Sequence, residues 1–249
     1  MNKVLITGMS GLIGGLLKSH LESIEGYELS ALNRRLVQGV ECFQANITDL
    51  EAIKPAFIGK DVVVHLAASL DEDNWEDQLS INLIGTYNVY EAARLAGVKR
   101  VVFASSGGAI KGFEFVHPYD SIAAGLYDDV PEKIPMITHD MVRPARIYGA
   151  AKVWGEALGR HFSDAYGMSV VCVRIGSVTH KNTPRNSRER AVYLSHRDVV
   201  QIIQKCIDAP KELMYDIFFA TSNNKWGYRD LEHARLVLGF EPLDSGDEF

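Results

Sequence analysis

The sequence predicts an α/β fold in which a doubly wound parallel sheet carries helices on both faces. Short apolar runs alternate with helical patterns along most of the chain, which is the order expected of parallel strands joined by crossover helices. A glycine-rich turn joins the first apolar run to the first helical pattern. Small or polar residues follow several of the runs, so they would meet at the carboxyl edge of the sheet, where ligands bind in such folds.

The first strand, helix and connecting turn predict a dinucleotide-binding unit. Residues 3–7 are predicted as a buried strand and residues 16–24 as a helix, with Gly8, Gly11 and Gly14 in the turn between them. Gly8 would permit the turn, Gly11 the approach of a pyrophosphate, and Gly14 close packing of the helix. The helix N-terminus would offer free N–H groups to phosphate. A purely structural glycine turn is the alternative, and the spacing is not the G-x-G-x-x-G of most dinucleotide folds.

The later elements continue the alternation and predict a Rossmann-type sheet. The final segment, residues 243–249, is acidic and is expected to fray. The predicted strands cover 28–32, 40–44, 61–66, 100–104 and 169–174, and the predicted helices cover 49–57, 75–96 and 148 to about 167, with one more helix after a loop at 223–230.

Composition restricts the class of protein. A chain of 249 residues that is 47% hydrophobic can bury one large core, so 1–249 is predicted as a single domain. The net charge of −6 argues against nucleic acid or an anionic membrane as partner. No apolar run could span a bilayer, and a strand at the N-terminus leaves no room for a signal peptide, which predicts a cytoplasmic protein. The three cysteines show no metal-binding or disulfide spacing, and no metal is predicted.

Tyr148 and Lys152 form a candidate acid/base pair. Their spacing of four residues places both on one face of a helix. A phenol has an ordinary pKa of about 10, and a neighbouring ammonium is expected to lower it. Such a phenol could exchange a proton with a substrate hydroxyl. A surface tyrosine beside a solvated lysine is the alternative when the pair is considered alone.

Five motifs in a fixed order resemble those of the extended short-chain dehydrogenases/reductases, the NAD-dependent epimerase/dehydratase family. The resemblance covers residues 3 to about 178 and implies a nicotinamide cofactor in a single NAD(P)-binding Rossmann domain. The motifs are Thr7-Gly8-x-x-Gly11-x-x-Gly14, His65-Leu66-Ala67-Ala68, Asn82-x-x-Gly85-Thr86-x-Asn88, Ser105-Ser106 and Tyr148-x-x-x-Lys152.

The resemblance assigns roles to individual residues. Tyr148 would be the acid/base, Lys152 would hold the nicotinamide ribose, and Ser106 would bond the reacting oxygen in preference to Ser105. Asn82 would order a nearby loop, although a helix cap is an equal alternative. The residues implied to bind cofactor are Gly8, Gly11, Leu12, Ile13, Gly14, Asn33, Arg34, Asn46, Ile47, Leu66, Ala67, Ala68, Asn82, Tyr148, Lys152 and Ile175.

The end of the second predicted strand favours NADP over NAD. It reads Leu32-Asn33-Arg34-Arg35 and lacks the acid that would bind a ribose 2′-OH. Asn33 could bond a 2′-OH, whereas Arg34 or Arg35 could pair with a 2′-phosphate; solvated arginines are the alternative. Asn46 stands where relatives often have an acid near adenine, with Asp49 a more distant candidate.

Four stretches from the end of the sixth predicted strand onward are similar to the uronate dehydrogenase branch: Arg174-Ile-Gly-Ser177, Arg188, Leu194-Ser-His-Arg-Asp198 and Ala209-Pro210. Members of that branch oxidise the hemiacetal of a sugar acid to a lactone. The chain after Lys152 is short for a nucleotide-binding domain, which favours a small sugar or sugar acid. Arg188 is implied to bind a substrate carboxylate, with Arg185 and Arg190 as alternatives. Ser69, Ser106 and Gly107 complete the predicted substrate site.

Two departures separate this chain from that branch. Gly107-Gly108 replaces an Asn-His pair, and the segment 113–146 is long and aromatic, as in a lid. With 178–195 and 221–249, it is predicted to form a small C-terminal substrate-binding cap. The alternatives to a dehydrogenase are a sugar 4-epimerase with retained NAD and a cofactor-sensing regulator. The resemblance implies a homodimer through the 75–96 and Tyr148 helices. Leu79, Leu83 and Tyr87 could supply the interface, or they could equally face the sheet.

Overall fold

The computed structural model describes residues 1–72 and 74–249, and within them the strands form one seven-stranded, wholly parallel sheet. The strand order is β3-β2-β1-β4-β5-β6-β7, which confirms the predicted doubly wound α/β fold. The strands are β1 (Asn2–Thr7), β2 (Tyr27–Asn33), β3 (Glu41–Gln44), β4 (Val62–His65), β5 (Arg100–Ser106), β6 (Ser169–Ile175) and β7 (Tyr215–Ala220).

The helices lie between the strands as the sequence pattern predicts. The first helix starts four residues earlier than predicted, because Gly14 and Gly15 lie inside it rather than before it. Of the described helices, none has both the length and the apolar composition that a bilayer span requires. The α-helices are α1 (Leu12–Glu22), α2 (Leu50–Phe57), α3 (Trp75–Asp77), α4 (Thr86–Leu95), α5 (Tyr119–Ala124), α6 (Ile147–Tyr166), α7 (Ser187–Ala191), α8 (His196–Ile207) and α9 (Glu232–Leu238).

The long helix predicted over 75–96 is not uniform. Its ends are α3 and α4, and the eight residues between them, Gln78–Gly85, are wound as a π-helix. Hydrophobic spacing does not reveal this winding, because eight residues are too short a stretch to show a change of helical period. Wide turns of this kind occur often at functional sites, and Asn82 lies within this one.

Alternate side chains of the central strands enter cores on opposite faces of the sheet. Val4 and Ile6 pack beneath α1 and α8, whereas Leu5 packs on the side of α2, α4 and α6. In β4, Val62 and Val64 join the first core and Val63 joins the second. A sheet buried on both faces explains why these strands read as continuous apolar runs.

A third hydrophobic cluster lies beyond the sheet and forms a cap. Ile110, Ile122 and Ile137 pack there with Val192 and Tyr228. These side chains come from three stretches of sequence that overlap the predicted insertions at 113–146, 178–195 and 221–249. The predicted insertions therefore form one packed unit, and its role in substrate binding stays a prediction.

The acidic tail is packed, so the prediction that it frays is wrong. The buried carboxylate of Asp198 accepts hydrogen bonds from the backbone N–H groups of Leu243 (2.8 Å) and Asp244 (3.2 Å). The backbone N–H of Gly246 donates to Asn224 Oδ1 at 2.8 Å. Acidic composition predicts solvation, but it could not show that a buried carboxylate lies within reach of these N–H groups.

A buried ion pair joins α6 to the sheet and the cap. Arg174 on β6 donates from Nε and Nη2 to the two carboxylate oxygens of Glu156 on α6, each at 2.8 Å. Its Nη1 donates to the carbonyl of Met141 in the cap at 2.9 Å, and Ser105 Oγ donates to Glu156 at 2.5 Å. The side chains of the pair are 0% and 3% exposed, so neither charge is solvated and each depends on the other.

Replacing Glu156 alone is expected to destabilise the fold far more than replacing the pair. Glu156→Leu leaves the Arg174 guanidinium buried and unpaired, and should lower the free energy of unfolding by about 3–5 kcal/mol in urea denaturation. The double variant Glu156→Leu, Arg174→Met removes both charges and should recover much of that loss. A double variant less stable than Glu156→Leu would contradict this account.

Candidate active site

A cleft of about 890 Å³ lies at the carboxyl edge of the sheet, where the strand order reverses between β1 and β4. Its size is that of a typical small-molecule or cofactor site. It is lined by most of the residues that the sequence predicts to bind cofactor or to act in catalysis: Gly8, Gly11, Leu12, Ile13, Gly14, Asn33, Arg34, Asn46, Ile47, Leu66, Ala67, Ala68, Ser106, Tyr148, Lys152 and Ile175.

The glycine loop has the geometry of a phosphate cradle. Gly8 adopts a φ of +71°, which favours glycine, and a Cβ added to Gly14 would lie 2.6 Å from the Gly8 carbonyl oxygen. The N-cap of α1 is Gly11, so no side chain caps the first N–H groups. These N–H groups and the positive end of the helix can bind a pyrophosphate. The residues present therefore fit a dinucleotide cofactor.

The two arginines that could bind a 2′-phosphate lie at one end of the cleft. Arg34 and Arg35 are exposed and line it. Asn33 is buried, and its Nδ2 donates to Ser10 Oγ at 2.7 Å and to the Arg35 carbonyl at 3.3 Å. The Asn33 side chain is thus already bonded within the loop, whereas both guanidiniums are free to meet a ligand from solvent.

Polar side chains fix the predicted adenine region. Asn46 and Ile47 line the cleft, and the buried Asn88 donates from Nδ2 to the Ile47 carbonyl at 2.9 Å. Asp49, the more distant candidate, instead caps α2 by accepting the Ala52 N–H at 3.0 Å. Asn46 is therefore the better placed of the two for contact with adenine.

Tyr148, Lys152 and Ser106 meet at the other end of the cleft. Burial raises the pKa of Tyr148 to about 12, although its hydrogen bond with Ser106 favours the phenolate. The expected net lowering of the Tyr148 pKa is wrong for this structure, because burial of the phenol outweighs the interactions that favour the phenolate. Lys152 is also buried, and burial lowers its own pKa to about 8. The Lys152 charge is present at neutral pH and is lost as the pH rises through that value.

The ammonium of Lys152 is held in position by the strand beneath it. Its Nζ donates to the Ala104 carbonyl at 2.8 Å and lies 5.6 Å from the centroid of the Tyr148 ring. The Ser105 hydroxyl already donates a hydrogen bond to Glu156. Ser106 Oγ accepts the Gly108 N–H at 3.0 Å and also bonds Tyr148. The geometry therefore favours Ser106 over Ser105 as the group that meets a substrate oxygen.

Asn82 orders the loop that follows β4. Its Nδ2 donates to the Ser69 carbonyl at 2.8 Å and its Oδ1 accepts the Ser69 N–H at 2.9 Å. It also bonds the buried Gln78 at 2.5 Å. Asn82 and Ser69 do not line the cleft, whereas Leu70 does. Their roles toward cofactor and substrate stay predictions, and the contacts support the loop-ordering role rather than a helix cap.

The predicted carboxylate-binding arginine already has an acidic partner. Arg188 donates to Glu114 from Nε at 2.5 Å and from Nη2 at 2.9 Å. Neither Arg188 nor Gly107 lines the cleft, whereas Arg185 does. Arg190 bonds the carbonyl of Phe249 in the tail at 2.7 Å. The substrate roles predicted for Arg188 and Gly107 therefore stay predictions, because a substrate would have to extend past the residues that line this cleft to reach them.

A loop that the motifs do not identify completes the wall of the cleft. Thr179, His180 and Lys181 line it, within the range 178–195 expected to contribute to the cap. Asn182 adopts a φ of 55°, and its Oδ1 accepts the His196 N–H at 2.7 Å. Asparagine tolerates this conformation better than most residues, which is a weak sequence signal for the turn.

Three possible metal ligands meet among residues that do not line the cleft. His139 in the cap stacks on His233 with ring centroids 4.1 Å apart, and His233 Nε2 bonds Asp216 at 2.8 Å. One ligand atom from each residue lies within 4.8 Å of the others. The sequence did not bring these residues together, because they come from distant segments. The predicted absence of a metal stays a prediction.

Residues 4–199 match the NAD dependent epimerase/dehydratase family. An NAD-dependent glucose-6-phosphate dehydrogenase of Haloferax volcanii is 32% identical, over 99% of this chain and 95% of its own length. A uronate dehydrogenase of Agrobacterium fabrum is 34% identical, over 100% and 87%. The crystal structure of uronate dehydrogenase from Agrobacterium tumefaciens superposes with a TM-score of 0.84 at 31% identity, covering 100% of this chain and 87% of that one.

Removing the Asn82 amide is expected to loosen the loop after β4. Asn82→Ala leaves the Ser69 N–H and carbonyl without their partner, and should cost about 1–3 kcal/mol of unfolding free energy in urea denaturation. Asn223→Ala, at an exposed position, is the matched control and should behave as wild type. Equal stability of the two variants would contradict a loop-ordering role for Asn82.

Proposed function

Because this chain belongs to the NAD-dependent epimerase/dehydratase family, we propose that it is an oxidoreductase that transfers a hydride between a nicotinamide cofactor and a hydroxyl or carbonyl of a small sugar or sugar acid. The observation that carries the proposal is the meeting of Ser106, Tyr148 and Lys152 at one end of the cleft that the glycine loop enters. The similarity to sugar and sugar-acid dehydrogenases over nearly the whole chain supports it.

The cofactor would lie along the cleft with its pyrophosphate at the N-terminus of α1. The loop from Gly8 to Gly14 would hold the phosphates, and Lys152 would hold the ribose next to the nicotinamide. When bound, the nicotinamide accepts or returns the hydride, while the protein supplies orientation and the proton.

Tyr148 would exchange the proton with the substrate. As the phenolate, its oxygen would accept the proton that the substrate hydroxyl loses during oxidation, and Ser106 would hold the reacting oxygen by a hydrogen bond. Because the Tyr148 pKa is about 12, the phenolate is scarce at neutral pH. Its fraction grows as the pH rises, so oxidation should become faster between neutral pH and the Lys152 pKa of about 8.

We favour NADP as the cofactor. Arg34 and Arg35 are exposed at the end of the cleft where the adenosine ribose would lie, and guanidiniums pair well with a 2′-phosphate. NAD is the alternative, with Asn33 as the partner of the 2′-OH, and the glucose-6-phosphate dehydrogenase relative is NAD-dependent.

A homodimer and a cytoplasmic location stay predictions. The exposed side chains of Ile84 and Tyr87 support an interface on the helices that relatives use, since each is more than two-fifths exposed. Leu79 and Leu83 are half-buried, so they offer less exposed apolar surface for such an interface.

Replacing Tyr148 by Phe is expected to abolish most of the activity without unfolding the protein. Loss of the proton acceptor should lower kcat by about 10²–10⁴-fold and remove its dependence on pH. The measurement is the absorbance of reduced cofactor over a panel of aldoses and uronates with NAD and NADP. Tyr127→Phe, in the cap, is the control.

Absence of cofactor reduction by wild type with every sugar would sink the dehydrogenase proposal. Interconversion of sugar epimers by protein purified with tightly bound NAD would instead favour the 4-epimerase, which has the weaker support because the relatives compared above are named as dehydrogenases.

Removing the guanidinium that binds a 2′-phosphate should change the cofactor preference. Arg34→Ala is expected to lower kcat/KM with NADP about 10-fold or more and to leave kcat/KM with NAD nearly unchanged. Arg35→Ala tests the neighbouring candidate, and Arg160→Ala, on the exposed face of α6, is the control. An NADP-to-NAD ratio unchanged in both loop variants would contradict the preference.

A further inference from the structure

Arg229 is a buried cation without a partner among the described residues. It lies in the loop before α9, its side chain is 4% exposed, and its Nε and Nη1 make no hydrogen bond there. Burying an unpaired charge costs several kcal/mol. Arginine does not escape this cost by losing its proton, because its pKa stays too high. A protein that keeps such a group usually compensates its charge elsewhere.

The guanidinium lies against the residue that follows Ser106. A Cβ added to Gly107 would lie 2.1 Å from Arg229 Nη2 and 2.5 Å from its Cζ. Any side chain at position 107 would therefore have to occupy the space that the guanidinium takes. Gly107 has no side chain to offer next to Ser106, and the Arg229 guanidinium places a positive charge at that position.

The surrounding charges leave this cation unbalanced. The nearby carboxylate of Glu114 accepts hydrogen bonds from Nε and Nη2 of Arg188. It also accepts one from the Tyr228 hydroxyl at 2.7 Å. Arg188 and Arg229 thus share one carboxylate, and the cluster carries a net charge of about +1 by formal count. A positive charge that is shielded from water attracts an anion strongly.

We propose that Arg229 is a specificity-determining residue that binds an oxyanion of the substrate, either a carboxylate or a phosphate ester. The inference rests on the proposed function. Arg229 does not itself line the cleft, but its Nη2 lies against Gly107, the residue that follows the cleft residue Ser106, so the anion would enter beside the hydroxyl that Ser106 and Tyr148 would handle. Arg188 takes up the Glu114 carboxylate with two hydrogen bonds, so this carboxylate does not fully neutralise Arg229. A planar guanidinium suits both oxyanions, because it can donate two parallel hydrogen bonds.

Ligand-induced shifts of the melting temperature test the assignment without requiring turnover. The probes are D-glucuronate, D-glucose 6-phosphate and neutral D-glucose, each added to protein saturated with NAD or NADP. At least one anionic sugar should stabilise wild type more than glucose does. Arg229→Met should weaken that binding on the order of 10- to 100-fold, and Arg229→Lys, which keeps the charge but not the fork, about 10-fold.

The control is Arg235→Met, which removes an exposed arginine of α9 and should bind as wild type. Arg229→Met should itself be as stable as wild type or more stable, because it removes an unpaired buried charge. Equal anion-induced shifts in wild type and Arg229→Met, no shift for either anion with wild type, or a fall in stability with an unchanged anion response would each overturn the proposal.

The two anionic sugars distinguish carboxylate from phosphate recognition. If an anion binds through Arg229 but wild type reduces no cofactor with any sugar, the dehydrogenase proposal fails and the anion site stands. If wild type oxidises sugars with the same kcat/KM in Arg229→Met, the enzyme is a dehydrogenase and the anion site is refuted.

Discussion

The buried pair of Arg174 and Glu156 is the interaction on which the candidate site depends. It joins β6 to α6, the helix that carries Tyr148 and Lys152, and it reaches the cap through the Met141 carbonyl. Glu156 also accepts the hydrogen bond of the Ser105 hydroxyl, which leaves Ser106 as the serine that bonds Tyr148. Because neither charge is solvated, each needs the other, and the pair ties helix, strand and cap together beside their hydrophobic packing.

The cofactor half of the site could be predicted from sequence because its determinants are local. The glycine loop, the end of β2 and the Tyr148 helix each bring their own backbone geometry, so short motifs suffice to identify them. The order of the strands then places these motifs at one edge of the sheet. The π-helical turn around Asn82 escaped prediction, since it is too short to show a separate hydrophobic period.

The substrate half could not be predicted in the same way, because its contacts join distant segments. Nothing near Arg188 in the sequence indicates that Glu114 binds it, and nothing near Gly107 indicates that Arg229 fills its place. The pKa of Tyr148 is a further example: spacing predicted a lowering by Lys152, whereas burial of the phenol itself raises this pKa. Burial is a property of the packed fold and cannot be read from spacing along a helix.

The cap core has a consequence for the order in which the protein folds. Its members Ile110, Ile137, Val192 and Tyr228 are far apart in sequence, so joining them requires closing long loops. The sheet also closes long loops: Arg100 of β5 pairs with Ser169 of β6, and the cap segment 113–146 lies between them. Pairing of these two strands brings both ends of that segment to the sheet, which shortens the loop that cap packing still has to close. Packing of the cap, and with it the burial of Arg229, is therefore coupled to formation of the centre of the sheet.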